Sequence, residues 1–147
     1  MTVRLPLVPR WLRWGFVVAV AGFIFYMSLV AVPPETAVDT AKPDVLPLDK
    51  WRHFVAYAAL AGTLVYATAD WALRRRWSVL LVVGSVALYG VGIEAGQSAL
   101  PARYFSLGDA YANVLGAVLL TPWYLLQPHF EFVGVRAWVR ETVPHPS

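Results

Sequence analysis

Four stretches of the chain contain no Asp, Glu, Lys or Arg, and each is long enough to form an apolar helix. They cover residues 14–34, 53–69, 77–93 and 110–130, which are 21, 17, 17 and 21 residues long. A helix rises ~1.5 Å per residue, so 17 residues span ~26 Å, and a hydrocarbon core is ~30 Å thick. With their flanking residues, the four stretches predict membrane-spanning helices over about 14–32, 51–69, 77–96 and 106–126.

The segments around these helices carry weaker patterns. Basic residues precede the first stretch, as in a signal peptide, but the apolar run is longer than usual and Val32-Pro33-Pro34 follows it in place of a small-residue cleavage site. We therefore expect a retained helix. Pro33 to Leu48 contains four prolines and cannot be helical throughout. Phe130 to Val139 mixes apolar and basic residues, which fits either a short interfacial helix or a solvated tail. Alternating strand patterns are absent.

Composition points to lipid as the solvent of this chain. Apolar residues make up 59% of it and charged residues 14%, against roughly 45–50% and 25% in soluble domains. This excludes a disordered chain, and a soluble domain of 147 residues would need more charge to cover its large relative surface. The absence of cysteine excludes disulfides and thiolate metal sites. A net charge of +3 without a basic groove does not indicate nucleic acid.

The distribution of Lys and Arg predicts the orientation. On alternating sides of the four helices, eight basic residues (Arg4, Arg10, Arg13, Arg74, Arg75, Arg76, Arg136 and Arg140) face four (Lys42, Lys50, Arg52 and Arg103). The side with eight should be cytoplasmic. The prediction is an all-α, four-helix bundle in the plasma membrane. It has a basic cytoplasmic N-terminus over 1–13, a membrane domain over 14–126 and a cytoplasmic C-terminal tail over 127–147.

Most of the remaining polar residues fall at the outer ends of three predicted helices. Residues three or four apart share a helix face, so Asp49 with His53, Glu94 with Gln97, and Asp109 with Asn113 form three stripes that antiparallel packing brings together. Ionisable groups at the membrane boundary are costly and usually mark function. The candidate acid/base groups are Glu94, His53 and Asp109. The candidate substrate-binding residues are Asp49, Lys50, Gln97, Arg103, Ser106 and Asn113.

Other interpretations of the same residues stay open. The charges can simply neutralise one another and hold the helices in register, Asp49 can cap its helix, and Arg103 can pair with Glu94 or Asp109. With one histidine on the outer side we predict no bound metal or other cofactor, although acidic groups there can hold a hard cation such as Mg²⁺. Gly92 and Gly116 are expected to allow close helix packing.

Three motifs resemble those of the VanZ-like membrane proteins. They are Asp49-Lys50-Trp51-Arg52-His53-Phe54, then Glu94-Ala95-Gly96-Gln97, then the run Arg103, Ser106, Asp109, Asn113 and Gly116 with its family spacing. The resemblance covers roughly Leu48 to Leu120. It implies a multi-pass membrane protein, and the named member of the family lowers susceptibility to the glycopeptide antibiotic teicoplanin. Trp51-Arg52 is bulkier and more basic than the pair usual in the family.

Three functions compete at this point. The first is an outward-facing site that binds or acts on a cell-envelope molecule, either a lipid headgroup or a lipid-linked precursor, with membrane lipids as partners and no nucleic acid. The second is a small transporter or channel component in which Glu94 carries a proton. The third is a purely structural membrane partner protein in which the polar residues form a clamp.

Overall fold

The computed structural model describes residues 2–31, 48–100 and 107–142, and it is mostly helical. The main helices are α1 (Arg10–Phe25), which continues as a π-helical segment (Tyr26–Val30), α2 (Leu48–Ala67), α3 (Arg75–Ser98) and α4 (Leu107–Leu119). Two short helices follow, α5 (Trp123–Leu126) and α6 (Val135–Thr142), with a 3₁₀ turn over Gln127–His129. The proline-rich connection after residue 32 lies outside the described residues.

The four main helices pack around a core that α2 dominates. Helix α2 contacts α1, α3 and α4, and its most extensive contact is with α4. Small and branched side chains from three helices form this core. Ala61 on α2, Val86 on α3 and Ala117 on α4 are fully buried. We name the two ends of the bundle. The polar end is the end at which α2 and α4 begin and α3 finishes. The basic end is the end at which α1 and α3 begin and α2 finishes.

The predicted helix over 106–126 is interrupted. Helix α4 finishes at Leu119, a turn follows, and Pro122 precedes the four-residue helix α5. A proline cannot donate the backbone hydrogen bond that a continuous helix needs. A turn therefore replaces the uninterrupted helix predicted from the apolar pattern.

A small parallel sheet lies at the basic end, where the sequence predicted no strand. Strand β1 (Val3–Leu7) pairs with β2 (Phe130–Gly134), with Leu5 opposite Phe132. The segment predicted as an interfacial helix or solvated tail is thus a strand in its first half and helix α6 in its second. The sheet brings the segments near both termini to the same end of the bundle.

Side-chain contacts fix this end to α2. The Tyr66 hydroxyl donates to the Pro6 carbonyl at 3.0 Å and accepts from the Val8 amide at 3.1 Å. Arg13, on α1, is buried and donates to the Ala67 carbonyl at 3.0 Å. The Arg13 bond satisfies a carbonyl at the end of α2 that the helix itself leaves without a partner.

Two helical segments are long and apolar enough to cross a membrane. They are Arg10–Val30 and Arg75–Ser98, with mean hydropathies of 1.7 and 1.8. Only 17% and 28% of their most apolar windows are buried, whereas a core helix of a soluble protein is mostly buried. Large apolar side chains such as Val18 and Leu88 are 69% and 75% exposed. An apolar surface of this extent is typical of contact with lipid or another protein.

Candidate functional site

Side chains from α2, α3 and α4 converge at the polar end. We call this set the polar cluster, and it consists of Lys50, His53, Glu94, Asp109 and Asn113. Glu94 and Asn113 are completely buried, and the other three side chains are between 14% and 23% exposed. Lys50 and His53 are three residues apart on α2, and Asp109 and Asn113 are four apart on α4, so each pair occupies one helix face.

His53 lies at the centre of the polar cluster. Its Nδ1 is 3.1 Å from Asn113 Oδ1 and 4.0 Å from Glu94 Oε1, and its Nε2 is 4.0 Å from Asp109 Oδ2. An amide oxygen only accepts, so in this arrangement Nδ1 donates to it. The other ring nitrogen, Nε2, faces Asp109.

Lys50 forms the direct ion pair of the cluster. Its ammonium group contacts Asp109 Oδ1 and links the start of α2 to the start of α4. From the sequence alone, Arg103 is one candidate partner for Glu94 or Asp109. In the described residues Lys50 instead pairs with Asp109, and the imidazole of His53 lies between the two carboxylates.

Two glycines let the helices come close enough for this convergence. A Cβ atom added at Gly116 would lie 2.4 Å from the Phe54 carbonyl oxygen, so α4 touches the backbone of α2 there. A Cβ atom at Gly90 would lie 2.9 Å from Asn113 Nδ2. The described residues show no such close approach at Gly92. Gly92 is exposed, and an added Cβ would meet none of the described atoms within 4 Å.

Gln97 connects the polar end to the first helix. Its Nε2 donates to the Ser28 carbonyl at 3.2 Å, within the π-helical segment. The residue is buried, so its amide helps to fix the end of α1 beside α2 and α3. Gln97 therefore makes a structural contact in addition to its place beside the polar cluster.

Tyr57 belongs to the site although sequence reasoning did not select it. It lies one helical turn after His53, and their rings are nearly parallel, with centroids 6.3 Å apart and an interplanar angle of 8°. Its side chain is only 1% exposed. Among the described residues, the Tyr57 hydroxyl and Asn113 Nδ2 have no hydrogen-bond partner. The spacing of four residues from His53 was the available signal.

The remaining predicted site residues cannot be placed as side chains. Arg103 and Ser106 lie outside the described residues. Asp49 is in the first turn of α2, but its side chain is also outside the description. Arg52, next to the cluster in sequence, is exposed at the polar end of α2.

The arrangement supports two kinds of chemistry. An imidazole between two carboxylates can pass a proton to or from a bound group, and the buried hydroxyl and amide can donate to an acceptor. His53, Glu94 and Asp109 also offer three metal-ligand atoms within 4.8 Å of one another. The ammonium group of Lys50, which pairs with Asp109, already places one positive charge beside these three residues.

Comparisons with protein-family models, with curated proteins and with solved structures found no match for the chain.

Proposed function

We propose that the chain is a four-span membrane protein of the VanZ-like kind, with the polar end facing outward and both termini in the cytoplasm. Two helical segments, α1 with its π-helical continuation and α3, are long and apolar enough to cross a membrane. Helix α2, at 20 residues, is ~30 Å long, which matches the hydrocarbon thickness, and α4 with α5 forms the fourth crossing. The concentration of arginine at the basic end supports this orientation.

We infer that the polar cluster binds the polar head of a cell-envelope molecule, either a lipid or a lipid-linked precursor. The observation that carries this proposal is the burial of Glu94 beside His53, Asp109 and Asn113. Ionisable groups buried in a membrane-spanning bundle are rare and usually mark function, and glycine and serine would suffice for packing alone. Donors and a proton-transfer group at the same point suit a phosphate or carboxyl head.

The experiment compares strains that differ only in this protein. A deletion strain is complemented with the wild type, with Glu94→Gln/Asp109→Asn, or with Glu131→Gln, and its envelope lipids and precursors are profiled by mass spectrometry. Glu131 is an exposed acid at the basic end, paired with Arg4, so it is the matched control. We expect the wild type and the control to restore the profile and the double variant to fail at equal abundance.

The same strains test the antibiotic connection implied by the resemblance. We expect teicoplanin susceptibility to follow the envelope profile, so that only variants with an intact polar cluster lower it. If the double variant restores the profile at normal abundance, the polar cluster does not carry the function and the structural interpretation replaces it.

A further inference from the structure

An open cavity of about 1020 Å³ runs between α1 and α2 and ends at the polar cluster. We call it the lateral groove. Its walls carry Ala19 and Phe23 from α1, Met27 from the π-helical segment that continues α1, and Val55 and Ala59 from α2. These residues repeat every four positions, so each helix contributes one continuous apolar face. Phe23 and Val55 are 64% and 59% exposed, so these walls are open to the surroundings.

The groove changes character along its length. Away from the polar end it is lined by apolar side chains, and at the polar end it is lined by Arg52, His53 and Gln97. Its lining on α1 and the π-helical segment extends from Ala19 to Ser28, which is ~14 Å of helix. One leaflet contributes about half of the ~30 Å hydrocarbon core. The apolar part thus has the length of a single leaflet, with polar side chains and the charge of Arg52 at its mouth.

We propose that the lateral groove binds one membrane lipid, with its hydrocarbon chain along α1 and α2 and an anionic, phosphate-bearing head beside Arg52 and His53. This rests on the proposed function, because it uses the polar cluster as the headgroup site. The exposed Arg52 guanidinium matches a phosphate in charge and in its planar arrangement of donors. A volume of this size is at the upper end of the ~300–1,000 Å³ typical of ligand sites, which leaves room for a chain.

Charge and length favour a lipid over a protein helix as the occupant. An apolar helix inserted between α1 and α2 would place no anionic group at Arg52, and the apolar lining is confined to one half of the bundle. A lipid satisfies both features with one molecule. The hydrocarbon chain of the lipid then fixes the position of its head, so that Tyr57 and His53 contact the phosphate end of the bound lipid.

The test measures lipid retention by native mass spectrometry on the full chain purified in a zwitterionic detergent. The probes are phosphatidic acid, diacylglycerol and inorganic phosphate. Two variants, Ala59→Trp and Ala19→Trp, fill the groove from opposite walls. Ala95→Trp is the matched control, because Ala95 is an exposed alanine on α3 that does not line the groove. A fourth variant, Arg52→Gln, removes the charge at the mouth. Thermal unfolding of each variant checks that it folds.

We expect the wild type and Ala95→Trp to retain phosphatidic acid at least ten times more than either groove-filling variant. Arg52→Gln should lose the preference for phosphatidic acid over diacylglycerol, and inorganic phosphate alone should not be retained. Equal retention in the wild type and a folded Ala59→Trp variant would overturn the proposal. Loss of a dimer instead of a lipid in that variant would assign the groove to a second copy and would also overturn it.

The outcomes separate this proposal from the proposed function. An envelope profile that depends on Glu94 but not on a filled groove leaves the headgroup site standing and removes the lipid groove. If instead Ala59→Trp loses the lipid while Glu94→Gln/Asp109→Asn keeps a normal envelope profile, the lipid groove stands and the function proposed for the polar cluster is removed.

Discussion

The guanidinium of Arg13 binds both carboxylate oxygens of Asp70, with Nη1–Oδ1 and Nη2–Oδ2 distances of 2.9 Å each. Arg13 is 3% exposed and Asp70 32% exposed. The hydrogen bonds from Arg13 hold the pKa of Asp70 below its usual value. Because these residues are 57 positions apart, the pair joins the start of α1 to the turn after α2.

This ion pair should make stability depend on acidic pH. A carboxyl whose folded pKa is lowered contributes fully above its unfolded value of ~3.9, and the contribution is lost as the pH falls through the folded value. We expect Asp70→Asn to unfold more easily than the wild type by ~1–2 kcal/mol near pH 6, less than for fully buried pairs because Asp70 is partly exposed. The two proteins should converge as the pH falls through the lowered pKa of Asp70.

Thermal unfolding in detergent between pH 3 and pH 7 measures this difference. Glu131→Gln is the control, since its ion pair with Arg4 has both side chains 49% exposed, and such pairs contribute little. A gap between the wild type and Asp70→Asn that is the same at pH 3 and pH 6 would show that the Asp70 charge does not stabilise the fold.

The close approach of α2 and α4 predicts a large effect for a single methyl group. In Gly116→Ala the new Cβ would overlap the Phe54 carbonyl oxygen at 2.4 Å, so the helices must separate at a cost of ~1–3 kcal/mol. Gly92→Ala adds the same group where none of the described atoms lies within 4 Å. It should be neutral or stabilising by up to ~1 kcal/mol through helix propensity. The melting temperatures and the yield of folded protein distinguish the two variants.

The polar cluster shows how far the sequence could lead. Helical periodicity predicted that Asp109 and Asn113 share a helix face, and both lie in the polar cluster. It could not predict which groups pair between helices. Lys50 on α2 meets Asp109 on α4, and the spacing of residues along one helix contains no information on such a contact between helices.

The sheet shows a different limit. Strand β1 is five residues long and contains Pro6, which weakens any strand signal. Its partner is β2, and Leu5 pairs with Phe132, 127 positions away. A pattern within a short window contains no information on such a pairing. The sequence therefore has no local strand pattern in these segments, and the strands form because the bundle brings the two segments together.

Removal of Lys50 should expose a metal-binding capacity in the polar cluster. Lys50→Met removes the ammonium group that pairs with Asp109. His53, Glu94 and Asp109 keep ligand atoms within 4.8 Å of one another. Zinc bonds of ~2.0–2.2 Å place two ligand atoms about 3–4 Å apart, so the group must contract by about 1 Å. We expect Zn²⁺ to raise the melting temperature of Lys50→Met and to have no effect on Lys50→Met/Asp109→Asn. No zinc response in folded Lys50→Met would contradict this.

The pairing of β1 with β2 can be tested directly because the chain has no cysteine. Leu5 and Phe132 are opposite each other in the sheet, and neighbouring strands are ~4.8 Å apart, within the Cα separation that a disulfide requires. Leu5→Cys/Phe132→Cys should therefore lose two hydrogens on mild oxidation and become resistant to thiol labelling. Val3→Cys/Gly134→Cys is the matched control, because these positions lie at opposite ends of the ladder and ~13 Å apart along it. Intact-mass measurement reads both. Equal oxidation of the two pairs would mean that the two segments meet only by random collision. Strands β1 and β2 would then not be paired in a fixed register.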